Sequence, residues 1–133
     1  MAKTTPTQRT LAELTRRGWT KQVVEKWNPH ARVRQDLFGV IDVLAIDDDS
    51  DHKQWLGRSA FVGIQACAGS SHATRRAKIL AEPRAKQWLY AGGRLEIWSF
   101  SKTGPRGKRK TWQLRVESIT VDMFADTVRR EQG

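Results

Sequence analysis

At 133 residues the chain suits one domain, and a hydrophobic fraction of 38% supports one modest core. No apolar run approaches the ~20 residues of a spanning helix, and one cysteine with three scattered histidines excludes both an internal disulfide and a cysteine-rich zinc site. Lys plus Arg number 24 against 14 Asp plus Glu, and the resulting charge of +10 points to a polyanionic partner, with simple solubility or an RNA-binding role as the blander alternatives.

The opening Met-Ala-Lys-Thr-Thr-Pro carries no apolar signal segment, so a cytoplasmic location is expected. Residues 7–17 read as a helix, with Leu11 and Leu14 on its apolar stripe and Gly18 as its stop. Residues 19–27 read as a first strand, broken by Asn28-Pro29, and residues 30–35 as a basic loop. Residues 38–46 form an apolar run expected as a second strand covered on both faces. It ends in the acidic stretch Asp47, Asp48, Asp49 and Asp51, read as a solvated connection because it lacks the glycine and distal glutamate of a calcium loop. Residues 60–68 read as a third strand, near enough to pair with the second through a hairpin loop.

A helix is expected to open at Gly69-Ser70-Ser71, with Arg75, Arg76 and Lys78 off its apolar stripe. Pro83 kinks it or starts another, which stops at Gly92-Gly93. Strands follow over 94–101 and 111–119, joined by a basic turn over 102–110, and a short helix is expected over 121–130. Trp88, Trp98 and Trp112 fit buried positions, whereas Trp19, Trp27 and Trp55 are open. The order α-β-β-β-α-β-β-α implies an α/β protein with a mixed central sheet flanked by helices, in a single domain spanning 1–133.

Asp42 is the leading chemical candidate. A carboxylate among Val40, Ile41, Val43 and Leu44 is costly to bury unless a metal ion or a buried salt bridge compensates it. Alternation puts Gln65 and Cys67 on one face of the third strand, so pairing of the two strands would bring Asp42 and Gln65 together. Asp42, the Gln65 side-chain oxygen and the Ala66 carbonyl would then form an oxygen site suited to Mg²⁺. A buried amide bonded to neighbouring backbone is the plainer account of Gln65.

The runs Gly39-Val40-Ile41-Asp42-Val43-Leu44-Ala45 and Phe61-Val62-Gly63-Ile64-Gln65-Ala66-Cys67 resemble motifs of the PD-(D/E)XK nuclease superfamily. They are most similar to those of archaeal Holliday-junction resolvases and related small phage nucleases, over roughly residues 7–100. The resemblance implies a restriction-endonuclease-like αβββαβ core with an extra strand and helix. It implies Mg²⁺- or Mn²⁺-dependent hydrolysis of phosphodiester bonds in DNA, branched DNA among the substrates, and a homodimer. By position Asp42 corresponds to the metal-binding Asp, Gln65 to the Glu and Cys67 to the Lys. The last two depart from the pattern: Gln65 lacks a charge, and Cys67 cannot act as a cation. A substitute cation is expected on the following helix, Lys78 before Arg75 or Arg76. Glu13 on the first helix matches the place of a further family acid, with Glu25 and Asp36 as rivals.

DNA contacts are expected from Arg32, Arg34, Arg75 and Arg76, and from the turn bearing Lys102, Arg106, Lys108, Arg109 and Lys110. Two other accounts fit the same residues. One is a DNA-binding module that keeps the nuclease fold without its chemistry; the other is a basic RNA-binding protein.

Overall fold

A computed structural model describes residues 4–47 and 60–124. Helix α1 (Pro6–Arg17) starts where its sequence tells it to. Thr5 accepts a hydrogen bond from the Gln8 amide at 3.1 Å, and the Gln8 side chain accepts one from the Thr5 amide at 2.9 Å, satisfying two amides at the helix start. Pro6 fits a first-turn position that has no carbonyl to bond, and Gly18 closes the helix at φ 78°.

The strands are β1 (Thr20–Val23), β2 (Lys26–Asn28), β3 (Val33–Gln35), β4 (Val43–Ile46), β5 (Phe61–Ala68), β6 (Arg94–Thr103) and β7 (Thr111–Ile119). Five of them form a mixed sheet in the order β1-β4-β5-β6-β7, while β2 and β3 form a separate two-stranded ribbon. Within the sheet β5 and β6 run parallel and the other pairs antiparallel. A parallel pair needs a crossover. It is supplied by a 3-10 turn (Gly69–Ser71), α2 (His72–Leu80) and α3 (Pro83–Tyr90). The protein is therefore an α/β fold with a mixed sheet flanked by helices, as the sequence order implied.

The two faces of the sheet carry separate apolar layers. Leu14 of α1 packs with Trp19, Val43, Val62, Ile64 and Trp98 on one face. Cys67, Ile79, Leu95 and Ile97 pack on the other, beneath α2 and α3. Trp98 is wholly buried and meets Trp19 edge-on at 6.4 Å between ring centres. Trp88 is half-buried, and its indole donates to the Arg94 carbonyl at 2.8 Å. Trp112, expected inside, is exposed under the guanidinium of Arg9, 3.5 Å from the ring centre.

The largest departures from the sequence-based expectation have local reasons. The strand expected over 19–27 stops at Val23 and resumes at Lys26 in the ribbon, and the expected loop over 30–35 contains β3. The run expected as a strand over 38–46 begins as a tight turn. Phe38 and Gly39 both have positive φ, 55° and 77°, and the backbone of Leu37 bonds back to Ile41, so extended structure starts only after Asp42. Asp47 is buried against Arg94 at 2.8 Å rather than solvated, since Arg94 also bonds Glu96 at 2.9 Å and holds both carboxylates at the sheet end. The rest of the acidic connection, Trp55 and the far part of the expected C-terminal helix lie outside the described residues. Val121–Phe124 forms a 3-10 turn.

Candidate metal and nucleic-acid site

Asp42 stands where the turn ends and β4 begins. Its backbone is held from both sides: its amide donates to the Ile64 carbonyl and its carbonyl accepts from the Val24 amide, each at 2.9 Å. The amide and carbonyl of Ile41 are both engaged by Leu37, at 3.0 and 2.8 Å. The amide proton of Ala66 goes to the side chain of Asp42. Asp42 Oδ2 accepts from the Ala66 amide and from Gln65 Nε2, both at 2.8 Å. The β4–β5 register ends with Val43 beside Ile64, and just beyond it the Gln65 side chain reaches Asp42.

The sequence-predicted pair thus meets, with a different division of labour. Gln65 turns its NH₂ toward the carboxylate, and its own Oε1, buried, has no hydrogen-bond partner among the described residues. Ala66 presents its amide, where its carbonyl was expected. Both groups hold the Asp42 carboxylate in place.

Two further carboxylates converge on Asp42. Glu25 lies immediately before β2 and Asp36 immediately after β3, so they are the two feet of one ribbon. One oxygen from each of Glu25, Asp36 and Asp42 lies within 4.8 Å of the others. Burial, then the hydrogen bond and charge of Asp36, push the Asp42 carboxyl up to about 8; the Ala66 amide opposes this and the charge of Glu25 adds to it.

Positive charge gathers beside the cluster. Lys78 on α2 lies 3.6 Å from Asp36, and Arg34 on β3 lies 3.4 Å from Glu25. A cleft of about 350 Å³ lined by Arg34, Gln35, Asp36, Gly39, Lys78 and Arg84 opens at this point. Cys67 is buried on the same face of the sheet as Gln65. Burial pushes its thiol up, with the charge of Arg75 opposing and that of Asp42 adding, so it supplies no cation. Arg75, one helical turn before Lys78, has no ion pair among the described residues.

No known family model, curated protein or solved structure matches the chain.

Glu13 does not join the cluster. It sits on α1, across the sheet from Asp42, where hydrogen bonds from Arg16 and Arg17 at 2.5 to 2.9 Å hold its carboxyl down to about 2. Its two rivals, Glu25 and Asp36, take the place beside Asp42. The signal for them was not local: only the pairing of β2 with β3 brings residues eleven apart in sequence to one point. Arg76 is engaged by Glu117 at 3.2 Å, and Glu117 also meets His72 at 2.7 Å. Arg32 is exposed near the ribbon tip. Arg106, Lys108, Arg109 and Lys110 are exposed in the β6–β7 turn. Ile97 is the β6 neighbour of Gln65, and β6 runs on to Thr103, so the turn begins about 20 Å beyond the level of the cluster.

Proposed function

We propose that the protein is a divalent-metal-dependent DNA nuclease, in line with its resemblance to the PD-(D/E)XK superfamily. The observation that carries this reading is the convergence of three carboxylates, one of which, Asp36, also lines a cleft with Arg34, Lys78 and Arg84. The donor set fits a hard cation. It consists of carboxylate oxygens, burial together with the neighbouring Asp36 and Glu25 pushes the Asp42 carboxyl up to about 8, and the buried Gln65 Oε1 beside it has no hydrogen-bond partner among the described residues. Glu25, Asp36 and Asp42 would hold Mg²⁺ or Mn²⁺, with Gln65 as an adjoining oxygen donor. Such an ion polarises a phosphate and lowers the pKa of a bound water.

The chain's own residues account for the remaining requirements. Gln65 and the Ala66 amide fix the Asp42 carboxylate. Arg34 and Arg84 bind the non-bridging oxygens of a phosphate in the cleft. Lys78 places positive charge beside Asp36, where negative charge grows as water attacks phosphorus, and so takes the part for which Cys67 is unsuited. Water's oxygen forms the new bond to phosphorus and gives up a proton to solvent, the old P–O bond breaks, and the departing oxygen takes a proton from solvent. The homodimer remains part of this proposal, since two such centres related by a two-fold axis suit paired cuts.

A DNA-binding module without chemistry is the rival, and the buried neutral thiol of Cys67 favours it. The two separate on a panel of junction, flap, nicked and plain duplex DNA incubated with Mg²⁺, Mn²⁺ or EDTA. Wild-type protein should cut at least one of them with metal and none in EDTA. Asp42→Ala and Asp36→Asn should bind without cutting, and Lys78→Met should cut about 100-fold more slowly. Binding without cutting by the wild type, or undiminished cutting by Asp42→Ala, would overturn the nuclease reading.

A further inference from the structure

The ribbon that supplies two of the three carboxylates also displays a tryptophan that the core does not use. Trp27 is 56% exposed, although large aromatic rings usually contribute to a core. No other ring or cation stacks on it among the described residues. Its position is tied to the cluster by strand geometry. Trp27 pairs directly with Arg34 across the ribbon, and one step on, the same register pairs Lys26 with Gln35. Directly opposed residues share a face, as do residues two apart on one strand. Extending the register one further step sets Glu25 opposite Asp36. Glu25, Trp27, Arg34 and Asp36 therefore line one face of the ribbon, and the 3.4 Å contact between Arg34 and Glu25 agrees with that arrangement.

The ribbon thus carries two rungs, a carboxylate pair at its base and an aromatic–guanidinium pair above it. The rungs are two residues apart, about 6.6 Å at strand rise, close to two base steps of about 3.4 Å. An indole beside a guanidinium, with Lys26 and Arg32 also exposed on the ribbon, suits a flat ring on an anionic backbone. A base paired within duplex DNA offers no free face to such a ring, whereas an unpaired base does.

We infer that Trp27 is a stacking platform for an unpaired DNA base next to a phosphate bound by its ribbon neighbour Arg34, so that the protein selects DNA with single-stranded or distorted segments. The choice of which base it takes rests on the nuclease reading of the cluster; the stacking itself does not.

The test is fluorescence anisotropy in EDTA, where no cutting occurs, with a labelled duplex carrying a three-nucleotide bulge and the same duplex fully paired. Wild-type protein should prefer the bulged duplex about tenfold. Trp27→Ala should lose that preference with affinity for the paired duplex within twofold, and Trp27→Phe should keep most of it. Equal loss on both duplexes, or no change on either, would overturn the platform, as would stronger Trp27-dependent binding to an RNA strand of the same sequence. Circular dichroism of both variants reports that the ribbon substitution leaves the fold intact. Asp36→Asn should retain the preference in EDTA while losing any cutting with Mg²⁺. A Trp27-dependent preference in a protein that cuts nothing would support the platform and remove only the nuclease reading.

Discussion

Asp42 shows how a single residue couples stability to pH. Its carboxyl titrates near 8 in the folded chain and near 3.9 when unfolded, so between those values the native state keeps a proton that the unfolded state gives up. Its stabilising contribution is complete below about pH 4 and is lost progressively as pH rises to about 8. In metal-free buffer the melting temperature should therefore fall over this range. Asp42→Asn keeps an acceptor for the Ala66 amide and has no proton to lose. It should flatten the profile and be more stable than wild type at pH 8 by on the order of 2 kcal/mol, measured by thermal melts in EDTA. A steeper profile in the variant would contradict the crowding of carboxylates around Asp42. The meeting of Asp42 with Gln65 was legible in the sequence because a two-residue period fixes which side chains share a face of a strand. Which atom each group presents was not, because periodicity places a side chain on a face and does not say which way its amide is turned.

At the scale of elements, β5 was legible almost to the residue from its apolar run ahead of Gly69, and β7 fully from the alternation of Trp112, Leu114 and Val116. The ribbon was hidden. Its strands are only three residues long, and its position depends on pairing between segments that each read as loop or strand end. The tight turn before β4 was masked by its own apolar residues, since an aromatic residue at positive φ leaves no mark in hydropathy. Glu13 was placed on the wrong side because a helix can pack on either face of a sheet, and composition does not say which. Packing around the turn can be tested at Gly63. A methyl group there would lie 2.6 Å from Ile41 Cδ1 in a buried layer, so the residue that precedes Asp42 would have to move. Gly63→Ala should destabilise the protein by about 2 kcal/mol in urea unfolding and weaken any metal response with it. Unchanged stability would mean that Ile41 repacks freely.

For the whole molecule, the charge of +10 was legible at once, and its distribution was not. The β6–β7 turn concentrates Arg106, Lys108, Arg109 and Lys110 well away from the carboxylate cluster, which suits outlying phosphate contacts rather than chemistry. Replacing Lys108, Arg109 and Lys110 together by Ala should reduce the slope of log K against log salt for duplex DNA by roughly 2 to 3. The rate of any cutting at saturating protein should hardly change. An unaltered slope would place the DNA elsewhere on the surface.

The one parallel pairing among the described strands, β5 with β6, divides the sheet into two antiparallel halves that share a single seam. Closing that seam means closing a loop over residues 69–93, which is slow compared with forming hairpins. Glu25, Asp36, Asp42 and Gln65 all belong to the half that the ribosome releases first. The acidic nest therefore depends on contacts made within that first half, and on the proposed nuclease reading its cation would tie β4, β5 and the ribbon together without help from β6 or β7.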